Sequence, residues 1–197
     1  MDWHRLHIAP MGATRGIHAI WTTYGTWLPG DRRGHWSALL DLYGRLKRAG
    51  HQLNMPDIET RSRARSLMND APKDLTIDDI QIVADILGSY LAPDLSGVGR
   101  RSGSVCHAAA IEPTHVHLLF GPVGEPIGTF VGRLKGASSS AALRRPDNHG
   151  RKRIWTAGYW KVFLFEDEAV HAVAEYIEAH NTRRGLPAAP FPWITPI

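Results

Sequence analysis

A single cysteine, Cys106, stands among 197 residues. One thiol excludes an internal disulfide and any cysteine-based zinc cluster, which suits a reducing, cytoplasmic setting. The apolar, strand-like run around Cys106 assigns it to the core. No apolar run approaches the roughly 20 residues that span a bilayer, and no signal-peptide core follows Met1-Asp2-Trp3-His4-Arg5. A soluble, intracellular chain with no membrane partner is therefore expected. Internal repeats and low-complexity tracts are missing as well. The charge imbalance is small, 23 Lys and Arg against 19 Asp and Glu, a net +4 with a sequence pI near 9.5. That balance permits an acidic partner such as nucleic acid without requiring one. Apolar material is plentiful, at 43% of the chain, enough for one core and, most economically, a single domain over residues 1–197.

The chain is organised around Ile111-Glu112-Pro113-Thr114-His115-Val116-His117-Leu118-Leu119-Phe120. An apolar, β-branched run without helical period reads as a strand, and alternate strand side chains share a face, so His115 and His117 project together. Two imidazoles on one face can share a cation, each coordinating through one nitrogen while a hydrogen bond fixes the other. The bland reading is a pair of solvated polar positions, and the spacing alone does not decide between them.

Residues 1–16, with Pro10, Gly12 and Gly16, read as a mobile lead-in. A first strand is expected over about residues 18–26, where Trp21, Thr22, Thr23 and Tyr24 carry β character, closed by Pro29-Gly30-Asp31. Trp21 reads as core rather than as a base-stacking platform. The insertion from about residue 31 to 75 carries the weakest signal, with short helices expected near 36–49 and 58–69. Thr76 then caps a helix with Asp78 and Asp79 in its first turn and Ile80, Val83, Ala84, Leu87 and Leu91 on one stripe, ending before Pro93. Gly97, Gly99 and Gly103 mark a turn, and Ser104–Ile111 pairs with the HVHLLF strand as a hairpin. A helix follows over Ile127–Leu143, with Arg133, Lys135 and Ser138 on its polar side. The next ten residues, 144–153, hold five basic groups, Arg144, Arg145, Arg151, Lys152 and Arg153, against one acid. Such a run is ordinarily a solvated loop, but beside a basic, hydroxyl-rich helix it has the footprint of phosphate contact, and these eight residues are the candidate DNA-binding set. Gly158–Phe165 reads as the last strand and Asp167–Asn181 as the last helix. Strand, helix, strand, strand, helix, strand and a further helix is the split βαβ, ferredoxin-like α+β pattern with an antiparallel sheet, plus an insertion after the first strand.

On the last helix Tyr176 and His180 are four apart, neighbours at the flank of the apolar stripe of Val170, Val173, Ala174 and Ile177. Alone, they read as a half-buried phenol and a cation near a helix C-terminus. With the two strand histidines they acquire a chemical logic. A cation on His115, His117 and His180 would polarise a phosphodiester while the Tyr176 oxygen attacks phosphorus. The covalent intermediate retains the phosphodiester bond energy, so a second hydroxyl can reverse the step and rejoin DNA without ATP.

These residues resemble the single-tyrosine HUH transposases of the smallest insertion sequences and their relatives, the REP-associated tyrosine transposases. The resemblance is carried by the stretches Trp21–Gly34, Pro113–His117, Leu134–Ser139 and Tyr176–Asn181, in the family's order and across most of the chain. It implies a ferredoxin-like fold, a divalent metal, Mg2+ or Mn2+, and cleavage and rejoining of single-stranded DNA beside a hairpin through a 5′-phosphotyrosine intermediate, in DNA transposition. It matches His115 and His117 to the HUH ligands and Tyr176 to the nucleophile. Four residues past that tyrosine the family usually carries Gln or Asn. Here the position is His180, with Asn181 next, and the third ligand stays open between them. A homodimer, with the site completed within one chain or by a partner's helix, is left open too. The competing readings are a domesticated hairpin-binding protein that no longer cuts and a metal-dependent phosphodiesterase that uses water.

Overall fold

The computed structural model describes residues 13–28, 31, 57–92 and 104–197. The helix expected near 36–49, the turn at Gly97, Gly99 and Gly103, and residues 1–12 of the lead-in lie outside the described residues. Four strands are described, β1 (Gly16–Thr22), β2 (Cys106–Ile111), β3 (His115–Phe120) and β4 (Trp160–Leu164). The described helices are α1 (Ile58–Ser66), α2 (Ile77–Leu91), α3 (Ile127–Leu143) and α4 (Asp167–Thr182). The sheet runs β2-β3-β1-β4 and every neighbouring pair is antiparallel. This is the split βαβ arrangement expected from the alternation of elements: β1 and β2 are separated by β3, and β4 lies on the far side of β1.

Local chemistry sets the element ends. β1 stops at Thr22, four residues earlier than expected. There the Thr26 hydroxyl donates to the Thr23 carbonyl at 2.9 Å, and Gly25 turns the chain with φ +76, in the left-handed region where a side chain is disfavoured. β4 starts at Trp160 rather than Gly158 because Gly158 itself has φ +79. α2 opens on a reciprocal capping box. Thr76 Oγ1 accepts from the Asp79 amide at 3.1 Å, and Asp79 Oδ2 accepts from the Thr76 amide at 3.1 Å, worth about 1 kcal/mol.

The two faces of the sheet are covered differently. On one face α2 and α3 lay Val83, Leu87, Leu91, Phe130 and Leu134 over Trp21, Leu118 and Phe120, with Cys106 buried in the same core. On the other face α4 lays Val170, Ala174 and Ile177 over Ala108, Ala110, Leu119 and Leu164. After α4 the chain returns along β2. Thr195 donates its amide to the Cys106 carbonyl at 2.8 Å, and Trp193 lies so close to Gly88 that a Cβ there would meet its ring at 2.5 Å.

Candidate active site

Strand alternation puts His115 and His117 on the α4 face, beside β1, where Thr22 pairs with His115 and Ile20 with His117. Their end of β3 is held by a three-residue connection, Glu112 to Thr114. The Glu112 amide donates to the His115 carbonyl at 2.8 Å, the Thr114 carbonyl accepts from the Thr23 amide at 2.9 Å, and the Pro113 carbonyl accepts from the Leu75 amide at 2.8 Å. α4 is fixed to the same strands. Asn181, 1% exposed, donates its side-chain amide to the carbonyls of Ala109 at 2.9 Å and Ala188 at 2.8 Å. Arg184 donates to the Ile111 carbonyl at 2.9 Å. With both amide hydrogens committed to carbonyls, Asn181 acts as an anchor of the helix, and it is His180 that faces the strand histidines.

His115, His117 and His180 form one cluster, in which one nitrogen from each ring lies within 4.8 Å of the others. Tyr176, one turn before His180, is 48% exposed. Its ring centre is 4.9 Å from that of His180 and 5.6 Å from that of His117. The sequence placed the four residues as two pairs, one on a strand and one on the last helix, and the fold brings all four together within one chain.

Two further groups, neither singled out from the sequence, set the state of the rings. Glu112 Oε1 accepts from His180 Nδ1 at 2.7 Å, and its second oxygen lies 3.6 Å from His115 Nε2. A proton held on Nδ1 leaves the lone pair of His180 on Nε2, and that nitrogen is buried without a hydrogen-bond partner. His18, on β1, contacts His117 with 3.0 Å between Nε2 and Nδ1. Burial, aided by the charge of His180, lowers the His18 pKa to about 4. Burial, together with the charges of His115, His18 and His180, lowers that of His117 to about 2. Both rings are therefore neutral at neutral pH, the state in which an imidazole offers a lone pair. His18 was legible in principle, because strand parity puts it on the His117 face once β1 is known to lie beside β3. Glu112 carried no signal beyond its place in the turn.

An orphaned ring nitrogen, three converging imidazoles and a carboxylate behind one of them fit a divalent cation. His115, His117 and His180 would be its ligands.

The candidate DNA-binding residues occupy other ground. Ser138 is a correction: it is fully buried, donating to the Leu134 carbonyl at 2.7 Å and accepting from Trp155 Nε1 at 3.0 Å. The helical face expected to be polar is in part turned inward there. Arg145 is tied to Asp78 at 2.8 Å and Asp147 at 3.0 Å. Arg133 pairs with Glu125, Arg144 donates to Ser140 at 3.1 Å, and Arg151 donates to the Ala71 carbonyl at 2.6 Å. Lys135 donates to the Thr156 carbonyl at 2.8 Å, and burial lowers its pKa to about 8. Lys152 and Arg153 are exposed, and with Lys135 and Tyr159 they line a groove of about 450 Å³ over Gly128 and Gly132 of α3. This groove lies on the α2/α3 side of the sheet. The loop behind it nevertheless meets the sheet at the histidine end, because the Thr156 amide donates to the Thr22 carbonyl at 3.0 Å.

Strand order and helix placement define a ferredoxin-like α+β domain with a histidine and tyrosine centre between sheet and last helix. Residues 83–180 match the family model described as IS200-like transposase, and this part of the chain, from within α2 to His180, belongs to that family. Two solved structures are similar. One is a Deinococcus radiodurans R1 protein described as a candidate transposase, with 18% identity over 91% of this chain and 98% of the other and a TM-score of 0.37. The other is a REP-associated tyrosine transposase bound to a REP hairpin, with 14% identity over 94% of this chain and 74% of the other and a TM-score of 0.41. No curated protein sequence matches the chain. Among the described residues, no helix is long and apolar enough to cross a membrane.

Proposed function

We propose that this chain is a metal-dependent transposase that cuts and rejoins single-stranded DNA through a covalent 5′-phosphotyrosine at Tyr176. The observation that carries this reading is the approach of Tyr176 to His117 and His180 within one chain, with ring centres 5.6 and 4.9 Å apart. A phenol half open to solvent, beside a cluster of neutral or carboxylate-backed imidazoles, is placed for attack on a bound phosphodiester.

His115, His117 and His180 hold a divalent ion, Mg2+ or Mn2+ by family resemblance. When bound, that ion polarises a phosphoryl oxygen and offsets the charge that develops there. Glu112 and His18 keep two of the rings oriented, with a lone pair on the inward nitrogen. The Tyr176 oxygen attacks phosphorus and gives up its proton, the bond to the 3′ oxygen breaks, and that oxygen takes up a proton and leaves as a hydroxyl, so the exchange conserves protons as well as bonds. A later attack by another 3′ hydroxyl reverses the exchange and rejoins the strand. Lys135, Lys152, Arg153 and the groove they line grip the backbone of the same DNA, hairpin stem included. The loop that lines the groove is hydrogen-bonded to Thr22, the strand partner of His115, so a DNA strand leaving the groove has a path around that edge toward the histidines.

The test is adduct trapping. Full-length protein incubated with single-stranded and hairpin oligonucleotides and a divalent ion is expected to yield a complex that survives denaturation. Tyr176→Phe is expected to abolish that complex while leaving oligonucleotide binding intact. Cleavage without any adduct would instead mark water as the nucleophile.

A further inference from the structure

We infer that the histidine centre selects a borderline first-row ion, of the cobalt, nickel and zinc class, over magnesium, and that Glu112 sets this preference by making His180 a full ligand. The inference rests on the reading proposed above that these three histidines hold a divalent ion, and it departs from the magnesium or manganese that the resemblance implies.

The argument begins with the donor set. The cluster that converges is three imidazoles, and no Asp or Glu joins that triad among the described residues. Magnesium is held by oxygen, from one or two carboxylates and several waters, and parts with water reluctantly. Imidazole nitrogen is the softer donor and favours ions in the order manganese, iron, cobalt, nickel, with zinc also high. A third side chain that offered an amide oxygen would temper this preference. The third side chain here, His180, offers nitrogen instead, provided its tautomer is fixed.

Glu112 fixes it. Its Oε1 takes the Nδ1 proton at 2.7 Å, while Nε2 is left buried and without a hydrogen-bond partner. A buried, unpaired nitrogen costs free energy unless something else accepts its lone pair, and a cation shared with His115 and His117 does so. A carboxylate behind a coordinating imidazole also raises its basicity, which strengthens the bond to a borderline ion. The other Glu112 oxygen lies 3.6 Å from His115 Nε2, so a single carboxylate neighbours two of the three rings. Glu112 is thus a positioning residue, acting on the metal through His180.

The experiment is calorimetric titration of metal-free, full-length wild-type protein with cobalt, zinc and magnesium chlorides, with the visible absorption of bound cobalt as a second readout. Cobalt and zinc are expected to bind at least about 100-fold more tightly than magnesium. Glu112→Gln is expected to weaken cobalt binding by about 10-fold or more and to shift the cobalt spectrum without lowering the melting temperature. Glu112→Asp, too short to reach His180, is the second variant should the first not fold. His180→Gln is expected to narrow the gap between cobalt and magnesium. Magnesium binding as tightly as cobalt overturns the selectivity while leaving a metal site in place. Wild-type cobalt affinity in a folded Glu112 variant overturns the role of that residue. Cobalt binding that is indifferent to His115→Ala, His117→Ala and His180→Ala overturns the metal reading itself.

Discussion

The two faces of the sheet are built for different ends. Under α2 and α3 the layer is thick and aromatic, with Trp21, Phe120 and Phe130 among its fully buried side chains. Under α4 it is thin, with Ala108 and Ala110 of β2 facing Ala174 and Ile177. Small strand residues let α4 sit close to the sheet, and at the end beyond the alanines the interval is filled by imidazoles instead of aliphatic groups. Burial of apolar area is the main stabilising term in folding, so the thick face holds the domain together. The thin face contributes less, and has room for groups that pack poorly but coordinate well. On the thick face the buried carboxylate of Asp79 is paired with Lys73, while on the thin face His180 Nε2 is buried without a hydrogen-bond partner.

The first way to break this comparison is to remove the charge buried on the thick face. Asp79 is fully buried, 2.5 Å from Lys73 and 2.9 Å from the Asn148 amide. Asp79→Ala leaves Lys73 buried without its partner and removes the Asp79 half of the α2 capping box, so a loss of about 3–5 kcal/mol is expected in chemical denaturation. The same carboxylate sets a pH dependence. Burial opposes its ionisation, but Lys73, the Thr76 amide and Asn148 outweigh burial and hold its pKa below the ordinary value. The unfolded chain therefore binds this proton more readily than the native one. The stabilisation is complete above the ordinary aspartate pKa of about 3.9 and is lost as pH falls through the lower folded value. Denaturation midpoints followed from neutral pH into acid are expected to show this limb in wild type and to lack it in Asp79→Asn.

A paired truncation sharpens the contrast. Phe130→Ala in the thick layer is expected to cost about 3–5 kcal/mol, and Ile177→Ala in the thin one about 2–3 kcal/mol, since a shallower layer relaxes more completely around the cavity. Ile177 lies between Tyr176 and the helix turn that carries His180. Its truncation is therefore expected to reduce adduct formation far more than Phe130→Ala does at matched folded fraction. Equal losses of activity from the two would mean that α4 does not position the tyrosine independently of global stability.

Most of this architecture was legible in the residues because local signals agreed with tertiary demands. Thr76 with Asp79, the stripe on α2, and the alternation through HVHLLF each pointed to the element that forms. Element ends were less legible where a single backbone conformation decided them, as at Gly25 and Gly158. Within the site, His115, His117, His180 and Tyr176 could be singled out because each has a periodic relation to a neighbour on its own element. His18 and Glu112 act across elements, one through strand pairing and one through the end of α4, so only their chemistry, not their spacing, marks them. Ser138 shows the opposite failure. Its type suggested a polar surface, but its hydroxyl satisfies a carbonyl of its own helix and the indole of Trp155, which lets it be buried at little cost.

The smallest expected effect on stability concerns Lys152 and Arg153. Both are exposed beside the α3 groove, on the face opposite the tyrosine, whereas Arg145 in the same basic run is held by Asp78 and Asp147. The run therefore divides into a structural cation and cations open to solvent. Replacing both Lys152 and Arg153 with Ala is expected to change stability by no more than about 0.5 kcal/mol. If each neutralises one phosphate, the double variant lowers the slope of log affinity against log salt by about 2, measured by fluorescence anisotropy with a labelled hairpin. Adduct formation at saturating DNA should then match wild type, because the tyrosine and histidines are untouched on the other face. A double variant with an unchanged salt slope would remove the thick face from DNA binding and leave the grip to the site side alone.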